Sequence, residues 1–111
     1  MGNRKYLGEF EQLILLGILR LRNNAYGVTL RQEIKERTGR TTSLGAIYTT
    51  LERLEAKGFV SSCTGDPTPE RGGRAKKFFK LEAKGERALA EAQAISRNMA
   101  HGLKLLPAGG A

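Results

Sequence analysis

A mainly α-helical fold with one small β-hairpin follows from three features of this 111-residue sequence. Apolar residues recur at steps of three and four in four separate stretches, the pattern of helices with one wet face. Between the third and fourth stretches the pattern changes to two short β-forming runs around a Gly/Pro-rich segment. Gly39 and Gly58 punctuate the second and third periodic stretches as helix stops. A chain of this length supports one domain with a modest core.

Residues 1–8 read as a polar arm carrying Arg4, Lys5 and one aromatic, Tyr6. The first helix is expected over Glu9–Arg22, where Phe10, Leu13, Ile14, Leu16, Gly17, Ile18 and Leu21 leave little room for a wet face. A helix apolar nearly all round is a core helix. Glu9 and Glu11 at its start and Arg20 and Arg22 at its end suit the helix dipole. Asn23-Asn24 makes the turn, with Asn24 the expected cap of a second helix over Ala25–Thr38. That helix turns Tyr26, Leu30 and Ile34 inward, with Val28 at the margin, and Arg31, Glu33, Lys35 and Arg37 outward.

The linker 39–42 is so short that the next helix must cross the second at a steep angle. Ser43 caps this third helix and Leu44, Ile47, Leu51 and Leu54 form its inner face, up to the stop at Gly58. Its outer face carries Thr42, Ala46, Thr49, Thr50 and Arg53. A short-chained, hydroxyl-rich, neutral-to-basic face suits the major groove of DNA, where bulk or carboxylates would meet bases and phosphates badly. A buried helix followed by two steeply crossed ones is the helix-turn-helix arrangement, with 43–57 as its recognition helix.

Strands are expected over Phe59–Thr64 and Lys76–Leu81, giving a hairpin whose loop and arm are basic: Arg71, Arg74, Lys76, Lys77 and Lys80 against Asp66 and Glu70. A last helix is expected over 83–106, with Leu89, Ala92, Ile95 or Ser96, Met99, Leu103 and Leu106 in one stripe. At 1.5 Å rise per residue such a helix outruns a domain this small. A second copy of the chain would cover the stripe. The sequence thus divides into a winged helix-turn-helix unit (1–82), an association helix (83–106) and a loose tail (107–111).

The formal net charge of +8 and pI near 10.1 favour a polyanionic partner. One cysteine, Cys63, makes no internal disulfide, which fits a reducing cytoplasm, and its place in an apolar stretch suggests packing. The longest apolar run, 13–21, contains Arg20 and is far too short to span a bilayer. No secretory leader is recognisable at the start. The single histidine, His101, has no carboxylate or nucleophile partner at a telling spacing, and no Cys/His cluster suggests a metal. Neither catalysis nor a cofactor is expected. An alternative use of the same fold is a module for protein or RNA contacts. Against it stand the basic wing and the shortage of aromatics for stacking RNA bases.

The segments LGEFEQLILLGILRL, NAYGVTLRQEIKERTG, SLGAIYTTLERLEAKGFV, PTPERGGRAKKFFKL and KGERAL resemble the PadR family of bacterial transcriptional regulators. The resemblance runs from Leu7 to Leu89 and rests on the Ala25-Tyr26-Gly27 helix entry, the Gly45, Tyr48, Leu51, Leu54, Gly58 pattern and the Arg71-Gly72-Gly73-Arg74 wing. Glu82 departs from the threonine often found before the last helix. The chain is similar in length to the short subgroup with a single C-terminal dimerisation helix. The resemblance implies a cytoplasmic homodimer that binds an inverted-repeat operator on double-stranded DNA and usually represses transcription.

On that reading Thr42, Ser43, Ala46 and Thr49 meet base edges, and free N–H groups near Ser43 meet a phosphate. Arg53 points outward toward the DNA backbone. Tyr48 has two readings, a hydroxyl given to a phosphate or a ring packed on the second helix. Arg71, Arg74, Lys76 and Lys77 straddle phosphates or enter the minor groove, or else form a solvated tip protected by charge. The dimer interface is expected to use Phe10, Leu89, Ala92, Met99, Leu103 and Leu106. Family members often respond to small aromatic compounds, drugs or stress signals near that interface. The last helix holds no aromatic residue to stack such a ligand, so no effector is named.

Overall fold

In the computed structural model, residues 6–65 and 76–107 are described. The elements are α1 (Glu9–Leu21), α2 (Gly27–Thr38), α3 (Leu44–Ala56), β1 (Val60–Thr64), β2 (Lys77–Leu81) and α4 (Ala83–Ala100), with one 3₁₀ turn at Arg22–Asn24. The fold is mainly helical with one antiparallel hairpin, as the sequence predicts. Residues 1–5, 66–75 and 108–111 lie outside the described residues, and with them most of the expected arm, the wing loop with Arg71 and Arg74, and most of the tail.

α1 is the floor of the core. Ile14 and Leu15 are fully buried and Ile18 nearly so, and they meet Leu30 and Ile34 of α2 and Ile47, Leu51 and Leu54 of α3 in one cluster. Each such side chain taken fully out of water contributes about 1.5–3 kcal/mol. Leu7, counted in the polar arm by its neighbours, is 7% exposed and belongs to this cluster. Its side chain follows the entry of α1 into the core.

Local signals place most of the helix ends. Gly39 ends α2 at φ 75°, a left-handed conformation that a side chain would strain. Ser43 caps α3, its hydroxyl accepting from the Ala46 N–H at 3.0 Å. Three expectations change. The first helix stops at Leu21 rather than Arg22, which takes φ 55°. α2 is capped at Tyr26, not Asn24: the Tyr26 N–H donates to Thr29 Oγ1 (3.0 Å), whose hydroxyl donates to the Asn24 carbonyl (2.7 Å). Val28 falls on the wet side, 41% exposed.

The hairpin pairs Val60 with Leu81 and Thr64 with Lys77. Beyond it, the Phe79 N–H donates to the Ala25 carbonyl at 2.8 Å, so the chain entering α2 flanks the other edge of β2. Val60 and Phe79 face the core. Cys63 pairs with Phe78 on the opposite face and is exposed, which overturns its expected packing role. The short apolar run does not by itself say which alternate residues face inward.

α4 is anchored at its start. The Glu82 N–H donates to the Phe59 carbonyl at 2.9 Å, and a Cβ at Gly85 would collide with that same carbonyl. Gly85 therefore permits the helix to approach this closely. Glu82 makes no side-chain cap; its carboxylate accepts from the Ser61 hydroxyl instead. α4 ends at Ala100, short of the expected Leu106, with His101 as cap and Gly102 at φ 85°. Leu103 and Leu106 thus lie beyond the helix, 65% and 90% exposed.

Candidate nucleic-acid interface

α3 is held by one face and free on the other. Ile47, Leu51 and Leu54 are fully buried, and Thr50 joins them at 4% exposed, so Thr50 is a packing residue and not part of the outer face expected for it. Ser43, Ala46, Tyr48, Thr49, Glu52 and Arg53 are exposed, and Thr42 is half-buried. Ser43, Ala46 and Thr49 offer only a hydroxyl, a methyl and a second hydroxyl, so bases can approach the backbone of the first two turns. Glu52 was not anticipated on this face. Its carboxylate puts a negative charge beside Arg53 on the exposed face of the C-terminal half of α3.

Tyr48 packs its ring on α2 and keeps an exposed rim. A Cβ on Gly27 would overlap the phenol ring, so the ring lies on the first turn of α2. It remains 37% exposed, which leaves a surface for a partner. Arg53 does not point freely outward. Its Nε lies 3.6 Å from Glu11 Oε2, and Lys57 Nζ lies 3.6 Å from the same oxygen.

Glu11 was read as a helix-dipole residue; the fold makes it a junction. It is 8% exposed and accepts the Gly8 N–H at 2.8 Å. Burial by itself would push its carboxyl up, but the Gly8 N–H and the Lys57 and Arg53 cations together hold it below the usual carboxylate value. A second ion pair, Arg40 to Glu9 at 3.1 Å, joins the turn before α3 to the start of α1. α3 is therefore tied to α1 at its C-terminal end through Glu11, with the exposed Arg40–Glu9 pair a weaker contact at the other. No sequence spacing pairs residues so far apart in the chain.

On the wing, Lys76 and Lys77 are exposed, with Nζ 4.9 Å from the Tyr26 ring centre and 5.8 Å from the Phe79 ring centre respectively. Tyr26 in turn meets Phe78 edge to face, centroids 5.3 Å apart. These cation–π contacts steady the lysine stems at the base of the wing while the charge stays in water.

α4 divides. Leu89 is buried in the chain's own core at 4% exposed, so it is not a free interface residue, and Ala92 and Phe10 are partly covered by the same core. Farther along, Ile95 is 43% and Met99 78% exposed. Among the described residues no group of three or more His, Cys, Asp or Glu side chains could hold a metal ion, and no helix is long and apolar enough to cross a membrane.

Residues 15–91 match the model of the transcriptional regulator PadR-like family. The chain belongs to that family. The PadR-like fold recurs in solved structures. A PadR-like transcription factor from Bacteroides fragilis is 28% identical at a TM-score of 0.68, over 81% of this chain and 82% of that one. A PadR family transcriptional regulator from Eggerthella lenta DSM 2243 is 25% identical at a TM-score of 0.65, over 86% and 82%. A PadR family transcription regulator from Clostridium difficile R20291, 21% identical at a TM-score of 0.65 over 81% and 90%, shares the fold. Comparison with functionally curated proteins gives no match. The PadR-like assignment makes this a DNA-binding transcriptional regulator, in a family of regulators rather than enzymes.

Proposed function

We propose that this PadR-like chain acts as a cytoplasmic homodimeric repressor that sets two copies of α3 into successive major grooves of an inverted-repeat operator. The observation that carries this reading is α3 itself. One face is locked into the core by Ile47, Thr50, Leu51 and Leu54, while Ser43, Ala46 and Thr49 stand free with short side chains. Ser43, Ala46 and Thr49 meet base edges in this scheme, and Tyr48 lends its exposed rim to the backbone. Thr42, with its hydroxyl shielded from solvent, does not share the base-reading role. Arg53 acts from the Glu11 junction, and Arg71, Arg74, Lys76 and Lys77 of the wing neutralise phosphates. The pairing surface runs along α4 from Ala92 through Ile95 and Met99 toward Leu103 and Leu106, with Phe10 at its edge. An apolar stripe so exposed in one chain is the usual mark of a partner surface.

Selection of bound fragments from a random duplex pool tests the reading. The expected product is two inverted half-sites about one helical turn apart, or a multiple of it. About four phosphates neutralised per subunit would give a log–log salt slope near −7. Recovery of unsymmetrical fragments, or a slope near zero, would remove the proposal.

A further inference from the structure

We propose that the outer face of α2 carries a second contact for DNA, a phosphodiester site formed by Arg31, Gln32, Lys35 and Thr42; it rests on the duplex-binding reading above. These side chains, with Val28 and Thr41, line a cavity of about 320 Å³ between α2 and the turn that enters α3. The site lies immediately before Ser43. A duplex whose major groove received Ser43, Ala46 and Thr49 would bring the strand bordering that groove past this turn.

The charges in this region are unequally employed. Arg37 is paired with Glu33 on its own helix, and Arg40 with Glu9 of α1. Among the described residues, Arg31 and Lys35 have no ion-pair partner. They stand four residues apart on one helical face, close enough to repel and to hold one anion between them. An arginine fork and a lysine point charge together suit a phosphate oxygen pair. Gln32 adds an amide, although its Nε2 donates to Glu36 Oε2 at 3.3 Å, which sets a carboxylate beside the site.

Thr42 supplies the second observation. Its hydroxyl is shielded from solvent and has no hydrogen-bond partner among the described residues. Shielded hydroxyls are nearly always satisfied. A phosphate oxygen arriving in the cavity that Thr42 lines would accept its proton. The outward cations of α2 then have a use that helical periodicity alone does not reveal.

The test compares Arg31→Gln with Lys35→Gln, as a double variant, against an equal charge loss elsewhere, Arg20→Gln with Arg87→Gln. The probe is a fluorescent random-sequence duplex of about 30 base pairs, titrated at several salt concentrations; binding of the α2 variant should weaken at least about tenfold with a slope smaller by about 2 per bound subunit. The Arg20/Arg87 variant should stay near wild type. An α2 variant that matches wild type, or loses no more than the control, overturns the site while leaving the duplex-binding reading intact. A wild-type chain that ignores duplex at every salt concentration sinks that reading instead. Inorganic phosphate at matched ionic strength should displace the duplex no better than chloride; strong displacement would mark a free-anion site and overturn the assignment.

Discussion

α3 and α4 carry much the same apolar periodicity and meet different fates. The stripe of α3 is spent inside its own chain, with Ile47, Leu51 and Leu54 completely covered. The stripe of α4 is covered as far as Leu89 and then runs out of chain to cover it, leaving Ile95 and Met99 exposed. The difference comes from placement. α3 packs against α1, α2 and β1, whereas α4 is held through Phe59, Gly85 and Leu89 and by the Gln93 amide donating to Gln12 of α1 at 3.0 Å, all short of Ile95. An amphipathic pattern says that a helix needs a partner, not whether that partner lies in the same chain.

The largest effect should come from breaking the covered stripe. Leu51→Ala deletes a fully buried side chain and should cost about 2–5 kcal/mol of folding stability by urea unfolding. A loss below about 0.5 kcal/mol, the usual range for surface substitutions, would mean that α3 is not held by its apolar face.

A middle-sized effect concerns how α3 is held by charge. Glu11→Gln should cost about 1–3 kcal/mol at neutral pH, since it removes the charged acceptor of Gly8 and the partner of Arg53 and Lys57. The sign of its pH dependence follows from the lowered carboxyl pKa. With the folded value below the unfolded one, the stabilisation is fully present above the unfolded value. It is lost as pH falls through the folded one. The gap between wild type and Glu11→Gln should therefore narrow below about pH 4.5, the ordinary value for this carboxyl. Equal gaps at pH 7 and pH 3 would show that the ionised form contributes nothing.

The smallest effect on the fold should come from the uncovered stripe. Ile95→Glu with Met99→Glu should leave each chain's stability within about 0.5 kcal/mol per site, as for exposed positions generally. Association is where the change should appear. The wild-type unfolding midpoint should rise with protein concentration and the variant's should not. Concentration-independent midpoints for both proteins would remove α4 as a pairing surface.

How far the sequence could be read depended on the distance over which each signal acts. Ser43 as a cap and Gly39 as a stop need only their neighbours in the chain, and both stand where the sequence put them. Tyr26 displaced Asn24 as the cap of α2 because the chain is also tied to β2 through Ala25, a bond between distant segments. Within the candidate interface, Ala46 and Thr49 were legible from helical phase. Thr50 was not, because the buried arc of α3 is wider than its leucines and isoleucine suggest. Arg53 reads as a free cation until α1 brings Glu11 beside it.

By itself the sequence determined the helices, the hairpin, the inner leucines of α3 and the excess of positive charge. These follow from periodicity, capping chemistry and composition, all local or additive. Only the tertiary structure decided that Glu11 would be the junction for Arg53 and Lys57, that Cys63 would face water, and that Gly85 would serve a close crossing. The same is true of the point at which α4 leaves its own core. Each of those outcomes depends on which distant segment arrives alongside. That is fixed by the packing of the whole chain and carries no mark at the residue concerned.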